Sequence, residues 1–149
     1  MIKVRPDAMA GLIKSSDELA IMRDAGRKLA RVREALVEAV KPGVSTKELD
    51  DLARGMIEDS KARPAFLGYR GFPGTVCASV DEEIVHGIPT AQRRLREGQI
   101  VSLDVGLKYE GFFSDTAVTV AVGKVAPELE RLIEVTRRAL DIAIEAMKE

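Results

Sequence analysis

Apolar residues recur at helical spacing in three stretches of the chain and alternate with polar residues in a fourth. In the first stretch Leu19, Met22, Leu29, Val32, Leu36 and Val40 return on one side of a 3.6-residue helix. Ser15 precedes them, with Glu18 at the third helical position. That pair is a capping box, in which the hydroxyl and the carboxylate each answer an otherwise unpaired backbone N–H. Lys41-Pro42-Gly43 ends the helix, since proline has no amide donor and glycine takes the left-handed turn. A second capping box, Ser45 with Glu48, opens another helix whose apolar side is Leu49, Leu52, Met56 and Ile57, with Pro64 just past its end. In the third stretch Pro127 fits a first helical turn, and Leu129, Leu132, Ile133, Leu140, Ile144 and Met147 extend a helix over 127–149 with no cap after it.

The fourth stretch is strand-like. Residues 64–74, PAFLGYRGFPG, carry too much glycine and proline for a regular element, and 75–80 is a short strand candidate. Asp81-Glu82-Glu83 is a polar turn, Ile84-Val85-His86-Gly87-Ile88-Pro89 a fixed loop after the strand, and a basic connection over 92–96 leads past Gly98. Residues 100–122, IVSLDVGLKYEGFFSDTAVTVAV, then predict a β-hairpin with its turn at Lys108-Tyr109-Glu110-Gly111. Side chains alternate between faces along a strand. Val101, Leu103, Val105 and Leu107, answered by Val118, Val120 and Val122, form the core face. Asp104 lies on the other face with Ile100, Ser102 and Gly106, and Asp115 joins it there with Phe113, Ala117 and Thr119.

A turn at that point sets Asp104 and Asp115 opposite, or nearly opposite, each other. Directly opposed residues have Cβ atoms roughly 4.5–5.5 Å apart, where like charges repel. Two readings follow: a hairpin with one wet face, or a site in which a cation lies between the carboxylates. Pattern alone favours the first, and the disfavour of aspartate within strands counts modestly against it, so both stay open.

Composition narrows the class. The 149 residues fit a single domain, in which about 68–70% of the unfolded surface is buried. The absence of Trp and an aromatic content of 4% predict an aliphatic core. With 23 Lys and Arg against 24 Asp and Glu, the net charge of −1 supplies no electrostatic case for a nucleic-acid or membrane partner. One cysteine, Cys77, cannot close an internal disulfide and suits a reducing compartment. No apolar run approaches the ~20 residues of a membrane span, and residues 1–14, read as an N-terminal extension, lack a signal-peptide layout. A cytoplasmic protein is expected. With one histidine and one cysteine, a Cys/His zinc cluster is excluded. Taken alone, His86 and Cys77 read as a loop histidine and a small buried hydrophobe, and Arg93, Arg94 and Arg96 as a solvated basic loop. Neither GxGxxG nor GxxxxGK[ST] occurs.

Four segments carry more than spacing does. MRDAGRKLA (22–30), KPGVSTKELD (41–50), GYRGFPGTVCASVDEEIVHGIP (68–89) and SLDVGLKYEGFFSDTAVTV (102–120) together resemble the N-terminal part of a type I methionine aminopeptidase, in order and spacing, from about Ser16 to the last helix. The resemblance implies an α+β pita-bread fold, two pseudo-symmetric halves around a dinuclear site. This chain would hold the first half plus the opening helix of the second, a single incomplete catalytic domain over 1–149. It further implies two divalent cations (Co, Mn, Fe or Zn), with Asp104 holding one and Asp115 bridging both. His86 would contact the substrate beside the scissile peptide, and Tyr69, Phe72 and Cys77 would line the pocket for the methionine side chain. Phe72 is often Tyr in that family, and Phe66 and Arg70 are positions at which its members differ. The implied reaction removes the N-terminal methionine of nascent proteins by attack of a metal-activated water.

The family's remaining ligands, one histidine and two glutamates, belong to its second half and are expected beyond Glu149. Three readings of the chain therefore stand. It is part of a methionine aminopeptidase, or a non-catalytic half-domain binding a metal or a peptide N-terminus, or a half that pairs with a second copy of itself or with the missing half. Prolidase-like relatives share the fold but generally carry a domain ahead of it.

Overall fold

A computed structural model describes residues 13–147, so residues 1–12 of the expected extension and the last two residues of the expected final helix lie outside the described residues. Both capping boxes form. The Ser15 N–H donates to Glu18 Oε2 at 2.7 Å and the Glu18 N–H to Ser15 Oγ at 3.3 Å, opening α1 (Ser16–Ala39). Ser45 and Glu48 repeat the pattern at 2.8 and 3.2 Å and open α2 (Thr46–Asp59). The strands are β1 (Arg63–Pro64), β2 (Val76–Val80), β3 (Ile100–Tyr109) and β4 (Phe112–Ala121), followed by α3 (Pro127–Ala146).

All strand pairings are antiparallel, with β3 at the centre. β4 pairs along the whole of β3, from Ile100↔Ala121 to Tyr109↔Phe112. On the other edge β2 takes residues 101–105 of β3, and β1 takes Leu107 and Lys108 further along. The sequence pattern did not indicate β1, because two residues carry no periodicity. Pro64 is tolerated there because it ends a strand that pairs on one side only. The hairpin turn is the two-residue loop Glu110-Gly111, at φ of 47° and 88°. Positive φ at both positions is what a type I′ turn requires, and the glycine supplies one of them without strain.

One face of the sheet is the core. Val101, Leu103, Val105 and Leu107 are fully buried against Ala25, Leu29, Val32 and Leu36 of α1 and Leu49, Ala53 and Ile57 of α2. Each such aliphatic side chain contributes about 1.5–3 kcal/mol of burial. Val118 and Val120 pack against this cluster from β4, as their parity predicts. Leu19 is 40% exposed, so the buried stripe of α1 begins only at Ala25.

Asp50 of α2 anchors the start of β2 from within the core. Its buried Oδ1 accepts from the Thr75 and Val76 N–H groups, and Lys47 and Arg54 stand 3.8 and 4.0 Å from Oδ2. No residue of α3 is buried. Leu132, Val135 and Leu140 are each more than half exposed, and only Leu129 and Ile133 are half-buried on that helix's apolar side.

Candidate metal centre on the open face of the sheet

The second face of the sheet carries no helix from the core layer. Its side chains form rows across the strands: Ser79, Ser102 and Thr119; then Cys77, Asp104 and Ala117; then Gly106 and Asp115. Asp104 therefore faces Cys77 on one side and Ala117 on the other, while Asp115 faces Gly106. The two aspartates are diagonal neighbours one row apart, at a Cβ separation of somewhat less than 7–8 Å, rather than a directly opposed pair. Ser102 Oγ and Thr119 Oγ1 bond at 2.9 Å beside them.

Glycine at 106 is required by close packing. A Cβ there would lie 2.9 Å from Phe66 Cε1 and 3.1 Å from Ala65 Cβ, so Phe66 and Ala65 sit on this face next to Asp115. The Ala65 N–H donates to the Gly106 carbonyl at 2.9 Å and holds the segment in place.

Asp104 is the electrostatically stressed group. Its Oδ1 is buried and has no hydrogen-bond partner. Burial raises its pKa above the ordinary aspartate value, and the Asp115 charge raises it further; His86 acts in the opposite direction, and a proton shared with Asp115 adds to the rise. Cys77, directly across from Asp104, is pushed up to about 11 by burial first and then by the charges of Asp104 and Asp115. A thiol held neutral in this way is a packing group and not a nucleophile.

His86 sits at φ 59° on an exposed loop. The loop is fixed along the outer edge of β2: the Ala78 N–H donates to the Gly87 carbonyl at 2.9 Å, and the Gly87 N–H donates to Ser79 Oγ at 3.1 Å. Any Cβ at Gly87 would come 2.3 Å from the Ala78 carbonyl oxygen. His86 is thus held by its neighbour on the strand that carries Cys77. Tyr69 and Phe72 lie in the loop closed by the Gly68 N–H to Phe72 carbonyl bond at 2.8 Å. Tyr69 is exposed, with the Arg70 guanidinium 5.5 Å from its ring centre, and Phe72 is half-buried. The structure brings Asp104, Asp115 and Cys77 together and sets His86 within electrostatic range.

Among the described residues no group of three or more His, Cys, Asp or Glu converges as a cation site. Two carboxylates are nonetheless the right chemistry for a divalent cation, which hard oxygen donors hold well. The unpartnered Oδ1 of Asp104 is an acceptor a cation would satisfy. The residues present fit part of such a site.

A family comparison matches residues 20–149 to metallopeptidase family M24. The chain belongs to that family. It is similar to methionine aminopeptidase 1 of Bacillus subtilis, 46% identical over 129 residues, which are 87% of this chain and 52% of that protein. Among solved structures, methionine aminopeptidase from Thermotoga maritima superposes with a TM-score of 0.86 at 36% identity, over 89% of this chain and 53% of that one. The Rickettsia prowazekii enzyme gives 0.82 at 38%, over 85% and 51%. The expected α+β pita-bread architecture and the resemblance to methionine aminopeptidases are both borne out. As an M24 member the chain has the fold of a divalent-metal peptidase family. It spans about half the length of the curated relatives it matches.

Proposed function

We propose that this chain supplies one half of the active site of a methionine aminopeptidase, a metallopeptidase that removes the N-terminal methionine of nascent proteins in the cytoplasm. The observation that carries the reading is the buried, unpartnered Oδ1 of Asp104 beside the diagonal carboxylate of Asp115. Asp104 and Asp115 would hold two divalent cations, which when bound supply Lewis acidity and a lowered water pKa. The roles assigned to the protein groups rest on the family resemblance and are compatible with their positions. Asp104 and Asp115 are poised as the ligands. His86, whose loop is held on β2 through Gly87, would donate to a substrate carbonyl or amide near them. Cys77 keeps its proton and presents sulfur as a soft apolar wall for a methionine side chain, with Tyr69 and Phe72 completing the pocket as substrate arrives. No helix of the described residues is long and apolar enough to cross a membrane.

Calorimetric titration of the metal-free chain with Mn²⁺ or Co²⁺ tests the ligand assignment. Saturable binding that Asp104→Asn and Asp115→Asn each weaken by about tenfold or more is expected, in line with the loss of one of two charged ligands. Binding untouched by either substitution would refute it. The chain alone is expected to release no methionine from a Met-Ala-Ser peptide, because two carboxylates leave a dinuclear site short of ligands.

A second reading is favoured by α3, whose apolar side the described residues leave largely uncovered. On that reading the chain is a non-catalytic half-domain that binds a metal or peptide N-terminus and associates with its missing complement or with a second copy. Light scattering on the purified chain separates the two, since a strictly monomeric folded chain removes self-association.

A further inference from the structure

Beyond the aspartates, the same face of the sheet carries a second charged pair of the opposite sign. Arg63 of β1 and Lys108 of β3 are directly opposed in register, one row past Gly106. Like charges directly opposite each other destabilise a pair of strands. A third cation, Lys61, precedes them at φ 62° and lines the same concavity with Glu110 and Gly111. The hollow has a volume of about 360 Å³. Among the described residues none of the three cations has a carboxylate partner, Glu110 included. Lys108 instead lies 5.1 Å from the ring centre of Phe113, its partner on β4. Phe66 packs on Gly106, and the row of Lys108 lies ~13 Å along β3 from that of Asp104 and ~7 Å from that of Asp115.

We propose that Lys61, Arg63 and Lys108 form a binding site for a phosphate-class oxyanion, separate from the aspartate pair. An oxyanion between Arg63 and Lys108 converts their repulsion into two charge-assisted contacts. The guanidinium offers a planar two-pronged donor and the ammonium a rotating one, the combination that suits a tetrahedral anion. Glu110 at the rim has the same sign as the ligand and lowers the affinity, leaving three cations against one carboxylate in the lining. The hollow is open to solvent, so the expected affinity is modest and falls with salt. The phosphate group is the recognised chemistry, whether free or carried on a nucleic-acid backbone.

The test is titration of the metal-free chain at constant ionic strength, followed by backbone amide NMR. The probes are inorganic phosphate and a short single-stranded oligonucleotide. Saturable shifts at residues 61–63 and 108–111 with inorganic phosphate are expected, weakened at least about fivefold in Arg63→Gln and Lys108→Gln and unchanged in Lys124→Gln, which removes one positive charge elsewhere. Tighter binding of the oligonucleotide at the same amides also supports the site and names a polynucleotide as the source; equal or weaker binding names a small phosphate. Shifts that chloride reproduces, that do not saturate, or that Lys124→Gln weakens as much as Arg63→Gln would overturn the proposal. Unchanged amide spectra of the variants outside the hollow verify that they remain folded.

Discussion

Replacing Asp104 with asparagine should make the metal-free chain more stable and the metal-treated chain relatively less so. Asp104 presents a buried acceptor oxygen with no partner, one row from the Asp115 carboxylate. Asparagine keeps an acceptor oxygen but removes the charge that burial and Asp115 disfavour, and cross-strand pair energies of about 0.2–1 kcal/mol put the expected gain at up to about 1 kcal/mol. An asparagine amide also donates toward Asp115 where the carboxylate only repels it. The pH dependence has a definite sign. The folded pKa of Asp104 is raised from 3.8, so the stability contributed by its protonated form is fully present below that value and lost as pH rises through the folded pKa. Wild type and variant should therefore differ least in acid and most at neutral pH. Urea denaturation in chelator reads the difference directly, and thermal melts should move by roughly 3–4 °C. Added Mn²⁺ or Co²⁺ reverses the order: at a hundredfold excess over Kd the wild type gains about 2.7 kcal/mol, and the variant gains little. A variant that is less stable in chelator, or that gains as much from metal as wild type, refutes the reasoning.

Three further outcomes are expected. Gly87→Ala places a Cβ 2.3 Å from a backbone oxygen, so the His86 loop should lift from β2 with the loss of two hydrogen bonds, about 2 kcal/mol of local protection; hydrogen exchange at Ala78 reads this, and unchanged protection would contradict it. Ser45→Ala removes a 2% exposed capping hydroxyl and should cost about 1–2 kcal/mol in urea denaturation, more than Ser15→Ala at an exposed helix start. Cys77, at about 11, carries about a hundredfold less thiolate than a thiol at its ordinary value of 9.0. Iodoacetamide should modify it at least that much more slowly than a small free thiol at mildly alkaline pH, and faster in Asp104→Asn; modification at the free-thiol rate would contradict the burial.

The elements legible in the sequence were those with a repeating signal. Two capping boxes and a 3.6-residue stripe placed α1 and α2, and alternation placed the hairpin and assigned residues 100–107 of β3 to their faces, while Lys108 and Tyr109, read as turn residues, belong to the strand. The site was legible in part, because parity alone puts Asp104 and Asp115 on one face. It could not give the diagonal register, which depends on which two residues form the turn. Family resemblance, not pattern, singled out His86, Tyr69 and Phe72. Asp50 escaped notice altogether: an aspartate near the start of a helix reads as a solvated first-turn carboxylate, and only the fold shows it buried under two amides of β2.

The two faces of β3 explain why the chain tolerates so stressed a carboxylate. Odd-numbered residues from Val101 to Leu107 are buried at 0% exposure and hold the helices, so the stability of the sheet is set on a face that Asp104 does not touch. The even-numbered face is then free to carry groups that weaken it, Asp104 against Asp115 in one part and Lys108 against Arg63 in another. Both unfavourable pairs are of a kind that a ligand of opposite charge would turn favourable. Glycine at 106, with Phe66 seated on it, lies in the row between those of Asp104 and Lys108. An arrangement that placed either pair on the core face would cost several kcal/mol per buried charge with no route for an ion to reach it. The alternation of a β-strand thus separates folding from binding within ten consecutive residues.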